Sequence, residues 1–336
     1  MSNILVTGGA GYIGSHIVRQ LGESGHDVIV LDDLSSGFRN AVLHGELVIG
    51  DVGDISLVER LLESHDIDSV IHLAAYTRVE ESVERPLKYY DNNVCKTRRL
   101  LENCVAYGVK HFIFSSSAAV YGIPSNVRAT EDSPTVPINP YGTSKLMCEW
   151  MLRDVAAAHN LRYVALRYFN VAGSDPEGRI GQSTPEATLL IKVACETALG
   201  KRPFMQIFGS DYPTPDGTAV RDYIHVEDLA SAHLSALDHL ANGGESATLN
   251  CGYGHGHSVR EVVDATRRIS GVKFEVREAS RRAGDPPSLV AEADRIGALL
   301  GWRPRYDDLE FIIRTSLGWE QHLLKMNSAT KRPTTD

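Results

Sequence analysis

The 336-residue sequence predicts an α/β protein: a doubly wound parallel sheet followed by a smaller, mixed α/β lobe. Three observations predict it. Short apolar runs alternate with longer amphipathic stretches through the first half, the pattern of βαβ units and a parallel sheet. A glycine-rich turn follows the first apolar run directly. After about Asn170 the rhythm breaks, and residues 172–185 and 209–218 become long Gly-, Pro- and Ser-rich connections of the kind that more often carry function than merely link elements.

Candidate strands cover 4–6, 28–31, 47–49, 69–72, 111–115 and 163–167, and helical patterns cover 12–23, 55–64, 86–107 and 140–159. Right-handed crossovers then place helices on both faces of the sheet. The expected division is a first domain over 1–170 and a second lobe over 171–327. Residues 219–250, and 221–240 most clearly, return to the first domain. Residues 328–336 are polar and read as a mobile tail.

Composition bounds the partners. The net charge is −9, with no basic block, so a nucleic-acid partner is not expected. A few arginines and helix N-termini can still hold an anionic small ligand. No apolar run approaches the roughly 18 residues of a membrane span, so no membrane partner is expected. The N-terminus enters a strand at Asn3 without a signal-peptide pattern, and a cytoplasmic location is the expectation. Cys95, Cys104, Cys148, Cys195 and Cys251 are odd in number and scattered, which reads as reduced thiols. His255 and His257 lack further ligands at metal-binding spacing and read as part of a Gly-rich turn; no metal is expected.

The turn Gly8-Gly9-Ala10-Gly11-Tyr12-Ile13-Gly14 leaves the first strand and opens the first helix. Glycines there permit a tight turn and let backbone N–H groups approach a pyrophosphate, while the helix N-terminus adds positive potential. The next strand ends beside Asp32 and Asp33, at the distance of the acid that binds the adenosine ribose and repels a 2′-phosphate. This is the Rossmann pattern, and it favours NAD over NADP. Asp51 and Val52, after the third strand, suit the adenine end; Leu73, Ala74 and Ala75 follow the fourth strand at the crevice where such sheets bind ligands.

The fifth strand runs into Ser115-Ser116-Ser117, and Asn139-Pro140-Tyr141 begins a helix that carries Lys145 one turn after Tyr141. A free tyrosine titrates near ~10, and a base that works at neutral pH needs about 4 kcal/mol in favour of the phenolate. A nearby ammonium and the positive nicotinamide ring act in that direction. Lys145 can also hold the nicotinamide ribose, and Ser117 can hydrogen-bond the substrate oxygen.

With these motifs the chain resembles the extended short-chain dehydrogenase/reductase family and, within it, the UDP-glucose 4-epimerases. The likeness runs over nearly the whole length, through residues 7–14, 89–94, 114–122, 141–145, 167–170, 207–214, 220–226 and 281–285. It implies reversible epimerisation of UDP-glucose and UDP-galactose through a 4-keto sugar, with NAD bound throughout, as part of galactose metabolism. Tyr141, Lys145 and Ser117 are then the catalytic group. NAD would meet Gly8, Gly11, Tyr12, Ile13, Gly14, Asp32, Asp33, Asp51, Val52, Leu73, Ala74, Ala75, Asn92, Ser115, Tyr141, Lys145 and Tyr168. Ser117, Tyr141, Asn170, Leu189, Arg221, Arg282 and Asp285 would hold the UDP-sugar, and Leu289 would line the space beside the sugar 2-substituent. The resemblance also implies a homodimer built on 86–107 and 140–159, and a structural His225.

Two positions depart from the family pattern. Thr77 stands where a lysine is common, and Thr188 or Leu189 stands where an Asn or His usually reaches the diphosphate. The related 4,6-dehydratases carry an Asp-Glu pair where this chain has Ala118 and Ala119, which leaves no acid and base for expelling water. Two other readings are a 4-epimerase of UDP-glucuronate or a UDP-pentose, and a catalytically silent NAD-sensing protein.

Overall fold

Apolar side chains in the central strands alternate between two cores. Ile4 and Val6 of the first strand, with Val28, Val30, Ile71 and Leu249, belong to one buried cluster. Leu5, Ile29, Leu31, Val70 and Phe112 belong to another. A period of two that buries both faces is the signature of a sheet covered on each side. The computed structural model describes residues 2–124, 128–185, 188–282 and 284–330, with side chains through 326.

The elements run β1 (Asn3–Thr7), α1 (Tyr12–Glu23), β2 (Asp27–Asp32), β3 (Glu46–Ile49), α2 (Ile55–Ser64), β4 (Ser69–His72), α3 (Val79–Glu84), α4 (Pro86–Tyr89), α5 (Lys96–Ala106) and β5 (His111–Ser115). They continue with α6 (Pro140–Ala158), β6 (Arg162–Tyr168), β7 (Asn170–Ala172), α7 (Leu190–Ala198), β8 (Met205–Phe208), β9 (Val220–Arg221), β10 (Tyr223–His225), α8 (Val226–Ala241) and β11 (Ala247–Cys251). Then come β12 (His257–Ser258), α9 (Val259–Ser270), β13 (Val276–Ala279), β14 (Ser288–Leu289), α10 (Asp294–Leu300) and α11 (Leu309–Thr330).

Seven parallel strands form the main sheet in the order β11-β6-β5-β4-β1-β2-β3. The chain moves outward from β1 to β3 and then returns to β4 on the other side of β1. The switch point lies between β1 and β4, where sheets of this kind bind ligands at the carboxyl ends of their strands. Helices α1 and α8 cover one face. Ile17, Val18 and Leu21 of α1 and Leu229, Ala236 and Leu237 of α8 are fully or almost fully buried, and each large aliphatic side chain contributes about 1.5–3 kcal/mol. A buried carboxylate staples the two helices: Glu227 receives His16 Nδ1 at 2.5 Å, Gln20 Nε2 at 2.6 Å and the Arg19 guanidinium.

The second lobe packs α7, α9 and α11 around Ile191, Cys195, Val262, Ile312 and Ile313. Residues 219–250 are divided between the two parts. β9 pairs with β12 and β14 in a small sheet, while α8 and β11 belong to the main one.

Three sequence expectations need correction. Residues 86–107 form no single α-helix: α4 passes into a π-helical stretch over Tyr90–Cys95 before α5 resumes. A sixth helix in this half, α3, was not expected; at six residues it is too short to show a period. Helix α11 runs on to Thr330, so the first residues of the expected tail are helical; residues 331–336 lie outside the described residues.

Candidate active site

The glycine cradle sits at the switch point. Gly8 has φ of +73°, and a Cβ there would lie 2.7 Å from the Ala74 nitrogen. A Cβ on Gly14 would come within 2.2 Å of the Gly8 oxygen. Only glycine lets the turn close against the Leu73-Ala74-Ala75 segment and the first turn of α1 at once. No side chain caps α1 at Gly11, so the N–H groups around Tyr12, Ile13 and Gly14 present an uncapped, positive helix end.

Asp32 supports this turn from beneath. One of its oxygens accepts from Ala10 N at 2.9 Å and the other from Leu34 N at 2.8 Å. Each keeps a second lone pair for a hydroxyl donor. Asp33 is exposed and accepts from the Ser35 N–H and hydroxyl. Asp51 pairs with Lys96 at 2.6 Å and accepts from Gly53 N, next to buried Val52. The Tyr12 hydroxyl donates to Gly173 O at 2.6 Å, tying the cradle to the second half of the chain. Tyr12 and Leu189 line one pocket together with Gly173, Gln182 and Lys192. Leu189 N-caps α7 without a side-chain hydrogen bond.

The carboxyl ends of β4 and β5 carry the rest. His72 is buried between two threonines: Thr7 Oγ1 lies 2.6 Å from Nδ1 and Thr97 Oγ1 lies 2.8 Å from Nε2. Because the Thr97 hydroxyl donates to Asn93 O, it accepts from His72 Nε2–H, and Nδ1 accepts from Thr7. Burial, with Lys145 nearby, pulls the His72 pKa to about 3 and keeps the ring neutral. The π-helical stretch turns neighbouring asparagines in different directions. Asn93 is buried and binds both backbone groups of Tyr76 as well as the Ser144 hydroxyl. Asn92 stays partly exposed and donates to Asn93.

Asn139 caps α6 by accepting from Gly142 N at 2.8 Å, with Pro140 as the first helical residue. This fixes Tyr141 and Lys145, both buried, on the face turned to β5. Lys145 Nζ donates to Ser115 O at 2.8 Å and lies 6.0 Å from the centre of the Tyr141 ring. Burial pushes the Lys145 pKa down to about 8, against the opposing pull of Cys148 and Glu149. Burial also raises the Tyr141 pKa, and the Ser117 hydroxyl acts the other way. The ammonium is held by a backbone carbonyl, and desolvation dominates at the phenol. Ser117 N-caps the short 3-10 turn that follows it and accepts from Ala119 N.

Behind this group lies a network the sequence reading missed. Glu149, one turn past Lys145, accepts from Ser116 Oγ at 2.5 Å and from Arg167 Nε and Nη2 at 2.9 and 2.6 Å. Arg167 also donates to the Tyr121 hydroxyl, which donates to Asn250. The spacing of Glu149 from Lys145 was the one available signal.

Across the cleft, β9 and β14 pair so that Leu289 lies beside Arg221. The Arg221 guanidinium contacts the Asp285 carboxylate directly. Arg282 reaches Glu80 of α3 at 3.5 Å and covers the Phe208 ring at 4.0 Å. Asn170 begins β7, and Tyr168 ends β6 near Ser115 and His233. Leu289 packs against the buried cluster of Ala118, Tyr121 and Phe169. The fold thus brings together the cradle and the Ser117–Tyr141–Lys145 group, with Arg221, Asp285 and Leu289 adjacent to one another on the second lobe. His255, by contrast, pairs with Asp307 at 2.7 Å on the surface, and the described residues hold no group of three metal ligands.

A family model described as the NAD dependent epimerase/dehydratase family matches residues 4–252. The chain belongs to that family. Among members of the epimerase/dehydratase family, a UDP-glucose 4-epimerase of Azospirillum brasilense is 56% identical over 95% of this chain and 92% of that protein. The crystal structure of UDP-glucose 4-epimerase from Brucella ovis in complex with NAD is 45% identical, with a TM-score of 0.92 over 94% of this chain and 98% of its own. The UDP-Glc/GlcNAc 4-epimerase of Campylobacter jejuni is 49% identical, with a TM-score of 0.85 over 96% of this chain and 100% of its own. Within the family, then, the likeness extends beyond the matched segment into the second lobe.

Proposed function

We propose that this chain is an NAD-dependent UDP-glucose 4-epimerase that interconverts UDP-glucose and UDP-galactose. The observation that carries the reading is the convergence of Ser117, Tyr141 and Lys145 beside a diphosphate cradle, with Arg221, Asp285 and Leu289 adjacent on the second lobe. Nicotinamide-adenine dinucleotide fits the donor set: an uncapped helix end for its phosphates, an acid with spare lone pairs for its ribose, and Lys145, Asn92, Ser115 and Tyr168 toward the other end. When bound, NAD supplies a hydride acceptor and donor for the sugar C4. Tyr141 takes the proton from the sugar 4-hydroxyl and returns it, with Ser117 sharing the hydrogen bond. Lys145 carries a positive charge held by the Ser115 carbonyl. Arg221 and Arg282 take the diphosphate, Asp285 accepts from the uridine ribose, and Asn170 and Leu189 border the nucleotide. We divide the chain accordingly into an NAD-binding part, 1–170 with α8 and β11 of the 219–250 stretch, and a UDP-sugar lobe over the rest of 171–327, which keeps β9 and Arg221.

The test is incubation of the purified protein with a panel of UDP-sugars, read by chromatography, alongside acid extraction of its cofactor. UDP-glucose and UDP-galactose should interconvert, and the protein should already carry NAD. Stoichiometric consumption of added NAD would make it an ordinary dehydrogenase instead.

Two further outcomes follow for the second lobe. Arg221→Ala and Arg282→Ala should each weaken UDP binding by about 1.5–3 kcal/mol in calorimetry if their hydrogen bonds to phosphate are direct; unchanged affinity in both would move the nucleotide elsewhere. Leu289 should favour unsubstituted hexoses over N-acetyl forms, and Leu289→Ser should raise N-acetyl turnover by freeing volume beside Arg221. Equal kcat/KM for both sugar types in the parent protein would remove Leu289 as a gate, in the manner of the Campylobacter enzyme's two named substrates.

The same reading extends to a cytoplasmic homodimer. Val83, Leu87 and Trp150 stand 62%, 78% and 48% exposed on the adjoining helices α3, α4 and α6, a concentration of apolar surface that a second copy would cover. All five cysteines are free thiols, as a reducing compartment requires, and no helix among the described residues is long and apolar enough to cross a membrane. Light scattering and cell fractionation test the two statements.

A further inference from the structure

Ser115 is the point where three elements meet at the end of β5. Its carbonyl accepts from Lys145 Nζ at 2.8 Å. Its hydroxyl oxygen lies 2.9 Å from His233 Nε2. His233 stands on α8, more than a hundred residues away in sequence, and neither it nor Ser115 has any exposed surface.

The proton positions on this chain follow from its fixed end. His233 Nδ1 lies 2.9 Å from Leu229 O. A carbonyl can only accept, so Nδ1 carries the hydrogen. Burial holds the ring neutral, with a pKa of about 4, and Nε2 is therefore a bare acceptor. The Ser115 hydroxyl must donate to it. Tyr168, at the end of the neighbouring strand β6, completes the cluster with its ring centre 6.5 Å from that of His233.

We propose that His233 is a positioning residue for the reaction: by taking the Ser115 proton, it fixes the Ser115 hydroxyl and steadies the strand end whose carbonyl holds Lys145. No group on α8 other than His233 is needed, and none of the motifs that identify the family contains it. The inference rests on the epimerase reading for its kinetic part only.

The experiment compares His233→Leu, His233→Gln, Ser115→Ala and the His233→Leu/Ser115→Ala double variant, each purified with its cofactor. His233→Leu and Ser115→Ala should lower kcat by about tenfold to a hundredfold with UDP-glucose KM unchanged, the size of effect expected when a remote change displaces a catalytic group. The double variant should be no slower than the slower single one, because both break one chain. His233→Gln, whose amide oxygen can accept from Ser115, should recover most of the loss. A second readout needs no sugar: bound NAD is reduced with borohydride and its fluorescence emission recorded. Emission per bound NAD should change in His233→Leu and Ser115→Ala and return to the parental spectrum in His233→Gln, with NAD content parental in both His233 variants. Parental kcat and emission in His233→Leu would overturn the proposal, as would additive losses in the double variant or losses that track cofactor content. If His233→Leu fails to fold, Ser115→Ala and His233→Gln decide it: the first must lose turnover and shift emission, and the second must retain both. A parent protein with no epimerase activity would sink the functional reading, while the fluorescence comparison would still decide the role of His233.

Discussion

Tyr141→Phe should lower epimerase turnover by about 10²–10⁴-fold, the usual contribution of a positioned general acid–base group. The ring occupies a buried site on α6, so removing one hydroxyl leaves the packing as it is. The lost atom is the one that moves the proton. NAD content should stay at the parental level, because the cradle at Gly8–Gly14 is built from other elements, and kcat and extracted cofactor measured on the same preparation separate the two effects. Near-parental turnover would show that Tyr141 is not the base. The buried phenol also gives this prediction a pH dependence. Desolvation raises the Tyr141 pKa, so without further positive charge beside it the phenolate appears only at alkaline pH. A parental rate that is already maximal near neutrality would show that positive charge, from Lys145 together with the bound cofactor, offsets that desolvation.

The largest stability effect should come from Glu149→Ala. Glu149 and Arg167 are 5% and 6% exposed, and the carboxylate receives Arg167 through two nitrogens as well as Ser116. Removing one partner leaves a buried guanidinium that keeps Tyr121 and the Glu131 carbonyl but loses its counter-ion. Breaking such a pair costs about 3–5 kcal/mol, which urea denaturation reads directly. Replacing both partners at once with apolar residues of similar size, as in Glu149→Met/Arg167→Leu, should recover much of the loss, since the penalty arises from the stranded charge. A loss below about 1 kcal/mol in Glu149→Ala would place the pair among weak surface bridges.

The contrast between these two residues shows what could be read from the sequence. Tyr141 and Lys145 were legible because their relation is local: Asn139 and Pro140 mark the start of the helix, and helical spacing does the rest. The same holds for the cradle and for strands such as β4 and β5, whose apolar runs match the observed bounds. Arg167 and His233 were not legible as parts of the site. Their partners lie 18 and 118 residues away, and only the folded sheet joins them. The two-residue strands β9, β12 and β14 have no period to detect; they form because Arg221 finds His257 on one side and Leu289 on the other. The π-helical turn at Tyr90–Cys95 escaped for a related reason. One helical period continues through it, and what distinguishes it is the tie from Asn93 to Tyr76 and Ser144.

The order of strands also bears on how the protein is made. β6 pairs with β5 on one side and with β11 on the other, and β11 ends at Cys251. As the chain leaves the ribosome, the main sheet can assemble through β6 and must then wait for the rest of the second lobe's first half before its last strand arrives. During that interval the nascent polypeptide presents an unpaired strand edge and an apolar face that α8 will later cover. Slow codons or a chaperone acting between residues 168 and 251 would therefore influence yield more than the same intervention at either terminus.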